Sequence, residues 1–256
     1  MIDFVGAGPG AIDLITVRGK TLLEKADVVI YAGSLVNPAL LSYTKEGAQL
    51  FDSAKMTLEE ILRVMIEADA VGKNVVRLQT GDPSLYGAIR EQMDALEKEG
   101  ISYRSCPGVT AAFGAAAACD LEYTLPGVTQ TLILTRMTGK TAVPEREEIR
   151  SLAAHQASMA IYLSAGMLKV LSARLTEGGY PPETPALLVY KATWPEEAIY
   201  PCTIATLPET GERHQVTKTA LVLVGEALRT KDYERSKLYD PAYTTLFRTG
   251  SDGGTA

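Results

Sequence analysis

The chain has 256 residues, 46% of them apolar and 22% charged, with a formal net charge of −6 at neutral pH. That length can bury a large core and favours two domains of about 110 to 130 residues each. The acidic balance argues against nucleic acid as the main partner. No apolar run approaches the roughly 20 residues of a membrane span, and the strand-like start, with no basic and apolar leader, reads as a soluble cytoplasmic protein.

The first apolar run, residues 2–5, feeds directly into Gly6-Ala7-Gly8-Pro9-Gly10. Glycines at a strand end let the backbone approach a ligand closely. Pro9 stiffens the loop and removes one N–H where a dinucleotide's pyrophosphate would need donors. The loop therefore suits a nucleoside ligand, or a purely structural tight turn. Helical spacing follows over residues 16–26, then a strand over 28–31. A helix over 57–71 opens with Thr57 as N-cap and Glu60 three residues on, a capping box.

A strand over 74–78 ends in Gln79-Thr80-Gly81-Asp82-Pro83, and helical spacing over 85–98 stops at Gly100. The strand over 101–104 leads to Cys106-Pro107-Gly108-Val109-Thr110-Ala111, which opens a helix of small residues. Alternating strands and helices define an α/β layer with a mainly parallel sheet. After a turn-rich connector at 121–127 a second α/β set follows, with strands near 130–135, 158–163, 185–190, 199–206 and 219–224. The expected division is an N-terminal α/β domain over 1–116, a C-terminal α/β domain over 117–235 and an extension over 236–256, disordered from Gly250 onward.

Three strand ends with Gly/Pro turns converge on the carboxyl edge of a parallel sheet, where ligands gather. Asp82 either contacts a ligand there or caps the following helix. Thr110 offers a hydroxyl and an amide, or simply starts a helix. A dinucleotide-binding dehydrogenase would place an acidic residue after the second strand, yet that position reads Tyr31-Ala32-Gly33-Ser34. This disfavours a nucleotide-dependent oxidoreductase. Cys106, Cys119 and Cys202 include no CxxC pair and have only His155 and His214 to assist them. They read as reduced core thiols and not as a metal site.

The order Val5-Gly6-Ala7-Gly8-Pro9-Gly10, Leu14-Ile15-Thr16, Ala26-Asp27-Val28-Val29, Thr80-Gly81-Asp82-Pro83, Pro107-Gly108-Val109-Thr110-Ala111 and Tyr162-Leu163 resembles the tetrapyrrole (corrin and porphyrin) methyltransferases. The resemblance covers nearly the whole chain. It implies two α/β domains with an active-site cleft between them, S-adenosylmethionine as methyl donor, a tetrapyrrole acceptor, S-adenosylhomocysteine as product and a homodimer.

Within the family, Tyr31-Ala32-Gly33-Ser34-Leu35-Val36, Asp52-Ser53-Ala54-Lys55-Met56-Thr57 and Leu238-Tyr239-Asp240-Pro241-Ala242-Tyr243 are most similar to the branch that methylates precorrin-4 at C11 in cobalamin biosynthesis. Uroporphyrinogen III and the diphthamide precursor are the alternative acceptors, and a non-catalytic adenosylmethionine sensor is the alternative role. Relatives acting on uroporphyrinogen III usually carry Asp-Arg where Ala32-Gly33 stand, so their acid–base residue does not transfer. The Gly-Pro-Gly-Asp common in the family reads Gly-Pro-Gly-Ala here, with Asp13 two places on.

By the same resemblance the donor is contacted by Pro9, Thr80, Gly81, Asp82, Leu85, Thr110, Ala111, Leu163, Ala192 and Ala220. Leu163 stands where Met is common, and Ala192 where Gly is common. An acceptor rich in acetate and propionate groups needs local cations, for which Lys55, Arg136 and Lys140 are the candidates; each also reads as a solvated surface charge. Tyr31 and Ser34 line the expected macrocycle pocket, or merely close a helix start. No residue is assigned as catalytic and no protein-bound metal is expected; a cobalt-containing acceptor is favoured, its metal belonging to the substrate.

Overall fold

The computed structural model describes residues 1–251, which form two compact units. The first comprises Met1–Ala118 together with Tyr190–Ala198, and the second Cys119–Val189 with the chain from Ile199 onward. The return of a nine-residue segment to the first unit is absent from the expected division at residues 116 and 117, because nothing local in the sequence marks it.

In the first unit, strands β1 (Ile2–Gly6), β2 (Val28–Tyr31), β3 (Gln49–Asp52), β4 (Val75–Gln79) and β5 (Tyr103–Cys106) form a sheet in the order β3-β2-β4-β1-β5. Every pairing is parallel. The central strands β1 and β4 are buried along their whole length, as expected of a sheet covered on both faces. Strand periodicity then divides the core in two. Ile2, Phe4, Val28, Ile30 and Val75 pack on one face with Ile61, Met65 and Leu96, while Val5, Val29, Val76 and Leu78 pack on the other with Ile15, Leu23 and Leu40.

The helices of this unit are α1 (Val17–Lys25), α2 (Leu58–Ala70), α3 (Arg90–Lys98) and α4 (Ala111–Ala118). Thr16 caps α1 by accepting the Gly19 amide at 3.0 Å. The capping box of α2 forms in full: Thr57 Oγ1 accepts from the Glu60 amide and Glu60 Oε2 accepts from the Thr57 amide. Helix α3 starts five residues later than its spacing suggests, since Tyr86 and Ala88 take left-handed φ values of 57° and 49°. Strand β3 escaped the sequence reading because Gln49 and Leu50 are exposed and the run is only four residues long.

The second unit holds β6 (Leu132–Arg136), β7 (Ser158–Tyr162), β8 (Pro185–Tyr190), β9 (Ala198–Thr203) and β10 (Ala220–Val224) in the order β6-β7-β10-β8-β9. β6 pairs parallel with β7, whereas β10 runs antiparallel to β7. Helices α5 (Ile149–Ala153), α6 (Leu168–Glu177) and α7 (Leu207–Arg213) belong to this unit. Cys106 is buried as expected, but Cys119 and Cys202 are only partly so. Residues 252–256 of the expected disordered tail lie outside the described residues; Gly250 and Ser251, which it also included, donate their amides to Thr244 and Pro241. Among the described residues no helix is long and apolar enough to cross a membrane.

Candidate active site

The carboxyl ends of β4, β1 and β5, adjacent in the first sheet, deliver three turns to one place. The Gly8 amide donates to the Gly81 carbonyl at 3.3 Å and the Gly81 amide to the Gly8 carbonyl at 2.9 Å. The approach is so close that side chains are excluded. A Cβ added at Gly6 would stand 2.6 Å from both Gly108 Cα and the Gly81 oxygen, and one at Gly108 would stand 2.2 Å from that oxygen. Gly81 also needs its left-handed φ of 59°.

Asp82 binds these turns together. One carboxylate oxygen accepts from the Ser84 amide and hydroxyl, the other from the Gly108 amide at 2.9 Å. Partial burial works to raise its pKa, but the Ser84 hydroxyl and the two amides outweigh it and hold the carboxyl below its ordinary value. The sequence alternatives were ligand contact and helix cap; the described bonds make Asp82 a tie between turns, with no cap on α3. Thr110 is buried, and its carbonyl accepts from the Phe113 and Gly114 amides, so it opens α4 beside Ala111.

Pro9 is buried, its ring facing Gly114. Its carbonyl accepts from Trp194 Nε1 at 3.0 Å, while the Gly10 carbonyl accepts from Asn37 Nδ2 at 2.9 Å. Ala192 is buried in the returning segment of the same unit. The sequence reading missed Asn37, Thr193 and Trp194. That Trp194 is the chain's one tryptophan was the available signal.

Tyr31 ends β2 and Ser34 follows it along the same edge, Tyr31 half-buried and Ser34 exposed. No acidic residue follows β2 in sequence, yet a carboxylate reaches that place from β3. Asp52 Oδ1 accepts from the Gly33 and Ala54 amides at 3.2 and 3.0 Å, and would lie 2.2 Å from a Cβ on Gly33. Lys55, its side chain 82% exposed, pairs with Asp52 at 3.7 Å. Thr80 and Leu85 are half-buried on the turn after β4.

In the second unit, the β7/β10 register pairs Ile161 with Val222, and Ala220 opens β10, half-buried. Leu163 is 63% exposed and holds a left-handed φ of 52°, an arrangement unusual for an apolar side chain and costly to the backbone. Arg136 pairs with Tyr162 at the same edge. Its guanidinium donates to the carbonyls of Met137, Thr141 and Ala142, so it braces a loop that also carries the exposed Lys140.

Adjacent parallel strands whose glycine turns meet at the carboxyl edge of their sheet are the feature of the first unit that a ligand site would use. The model of the tetrapyrrole (corrin/porphyrin) methylases matches residues 1–208, and the chain belongs to this family. It is 50% identical over 247 residues to the cobalt-precorrin-4 C(11)-methyltransferase of Methanocaldococcus jannaschii, across 96% of this chain and 95% of that one. The solved structure of a cobalt precorrin-4 methyltransferase, a cobalamin biosynthetic enzyme, matches with a TM-score of 0.87 at 45% identity, over 90% of this chain and 96% of that one. A Thermus thermophilus uroporphyrin-III C-methyltransferase complexed with S-adenosylhomocysteine matches with a TM-score of 0.74 at 26% identity, over 89% and 93% of the two chains.

Proposed function

We propose that this protein transfers a methyl group from S-adenosylmethionine to C11 of a precorrin-4-type ring, with the cobalt-containing form as acceptor. The observation that carries the reading is the near-full-length identity of 50% to a cobalt-precorrin-4 C(11)-methyltransferase. The close backbone packing of Gly6, Gly81 and Gly108, which holds the three turns together, supports a donor site at this edge of the sheet. When bound, S-adenosylmethionine supplies a methyl group already activated on a sulfonium.

The chain's own residues then have to bind and align. In the first unit, Pro9, the run from Thr80 to Asp82, Leu85, Thr110, Ala111 and Ala192 hold the donor, mainly through backbone and apolar surface. In the second, Leu163 and Ala220 do so, and the exposed apolar face of Leu163 supports that role. Alignment of this kind contributes roughly up to 7–11 kcal/mol in ideal intramolecular models.

Lys55 and Lys140 meet the acceptor's carboxylates, and Arg136 keeps the Lys140 loop in place while offering its remaining donor capacity. Tyr31 and Ser34 lie beside the ring. The protein acts in the cytoplasm as a homodimer. Calorimetric titration with S-adenosylhomocysteine, with NADH and NADPH as controls, tests the donor. The expected result is saturable binding of the thioether alone; preference for a nicotinamide contradicts the reading.

A further inference from the structure

The segment Tyr190–Ala198 leaves β8, joins the first unit and returns as β9. Lys191 and Thr193 within it both hold left-handed φ values, 46° and 67°. Two such non-glycine residues in three persist only where the surroundings over-determine them. Here Thr193 Oγ1 accepts from the Ala11 amide at 3.0 Å, and Trp194 Nε1 donates to the Pro9 carbonyl at 3.0 Å. The indole takes the space that Gly10 leaves: a Cβ on Gly10 would stand 2.1 Å from Trp194 Cδ1. The Lys191 ammonium lies 5.2 Å from the Trp194 ring centroid and pairs with Glu196 at 3.4 Å.

We propose that Trp194 is a positioning residue for the methyl donor, fixing the Pro9 loop and the strained turn that carries Ala192 into one rigid cradle. The inference rests on the donor reading above and adds to it a residue that acts through Pro9 and Gly10. Preorganisation of this kind favours binding because the loop is ordered before the ligand arrives.

Trp194→Phe keeps a ring and removes the N–H. It is expected to weaken S-adenosylhomocysteine binding roughly three- to tenfold, the worth of one net hydrogen bond, and to raise the donor KM while the acceptor KM stays constant. Gly10→Ala, which drives a methyl group into the indole, is expected to weaken donor binding in the wild-type background and to add nothing in Trp194→Ala, a non-additive cycle. Because Trp194 is the chain's one tryptophan, its emission is also expected to change on addition of S-adenosylhomocysteine. Unchanged donor affinity in folded Trp194→Phe overturns the proposal, as do additive effects in the cycle. Wild-type protein that binds no S-adenosylhomocysteine overturns the donor reading and this proposal with it.

Discussion

The Asp82 carboxylate accepts the Gly108 amide proton at 2.9 Å, joining the turns after β4 and β5 across the carboxyl edge of the first sheet. The bond gives a charged side chain a task within the fold of a site that otherwise relies on backbone.

Asp82→Asn is expected to lower stability and weaken S-adenosylhomocysteine binding together. Since folding depresses the Asp82 pKa, its contribution is present in full above the ordinary carboxylate value, about 4. It disappears as pH falls through the folded-state value. The gap in melting temperature between wild type and variant should therefore be open at neutral pH and close in acid.

Gly108→Ala places a methyl group 2.2 Å from the Gly81 carbonyl oxygen, a backbone atom with no rotamer to escape into. Overpacking of this sort costs about 1–3 kcal/mol, and a rigid obstacle puts the loss at the upper end. Chemical denaturation is the measurement, with donor affinity expected to fall in parallel.

Thr57→Ala removes one half of the capping box on α2. The expected cost is about 1 kcal/mol, or roughly 2–4 °C in melting temperature for a chain of this size. Thr57 is remote in role from the glycine turns, so methyl transfer by the folded variant should match wild type in an initial-rate assay.

Arg136 and Lys140 separate by what they touch. Arg136→Ala frees the carbonyls of Met137, Thr141 and Ala142, so both thermal stability and acceptor KM should suffer. Lys140 is exposed on that loop, and Lys140→Ala should raise the acceptor KM with the melting temperature unchanged.

The central strands and the caps were legible because their signals are local. Short β-rich runs, apolar but for Asp3 in the first and Arg77 in the second, marked β1 and β4, and Thr57 with Glu60 marked the start of α2. Their glycine turns could be grouped because parallel topology sends strand ends to one edge. What stayed hidden was non-local or strained. β3 is a short edge strand with exposed residues, and α3 is delayed by left-handed backbone at Tyr86 and Ala88. Asp52 reaches Gly33 from another strand, and Trp194 reaches Pro9 across 185 positions of sequence. Arg136, read as an acceptor cation, turned out to spend three hydrogen bonds on its own loop, which no pattern of residue types announces.

The most direct test of the account is methyl transfer itself. The purified protein is incubated with S-adenosylmethionine labelled at its methyl carbon and with cobalt-precorrin-4, and the labelled position is located by NMR. The account predicts one label per ring, at C11, matched by an equal amount of S-adenosylhomocysteine. Label at another ring carbon, or transfer to uroporphyrinogen III in its place, would contradict it.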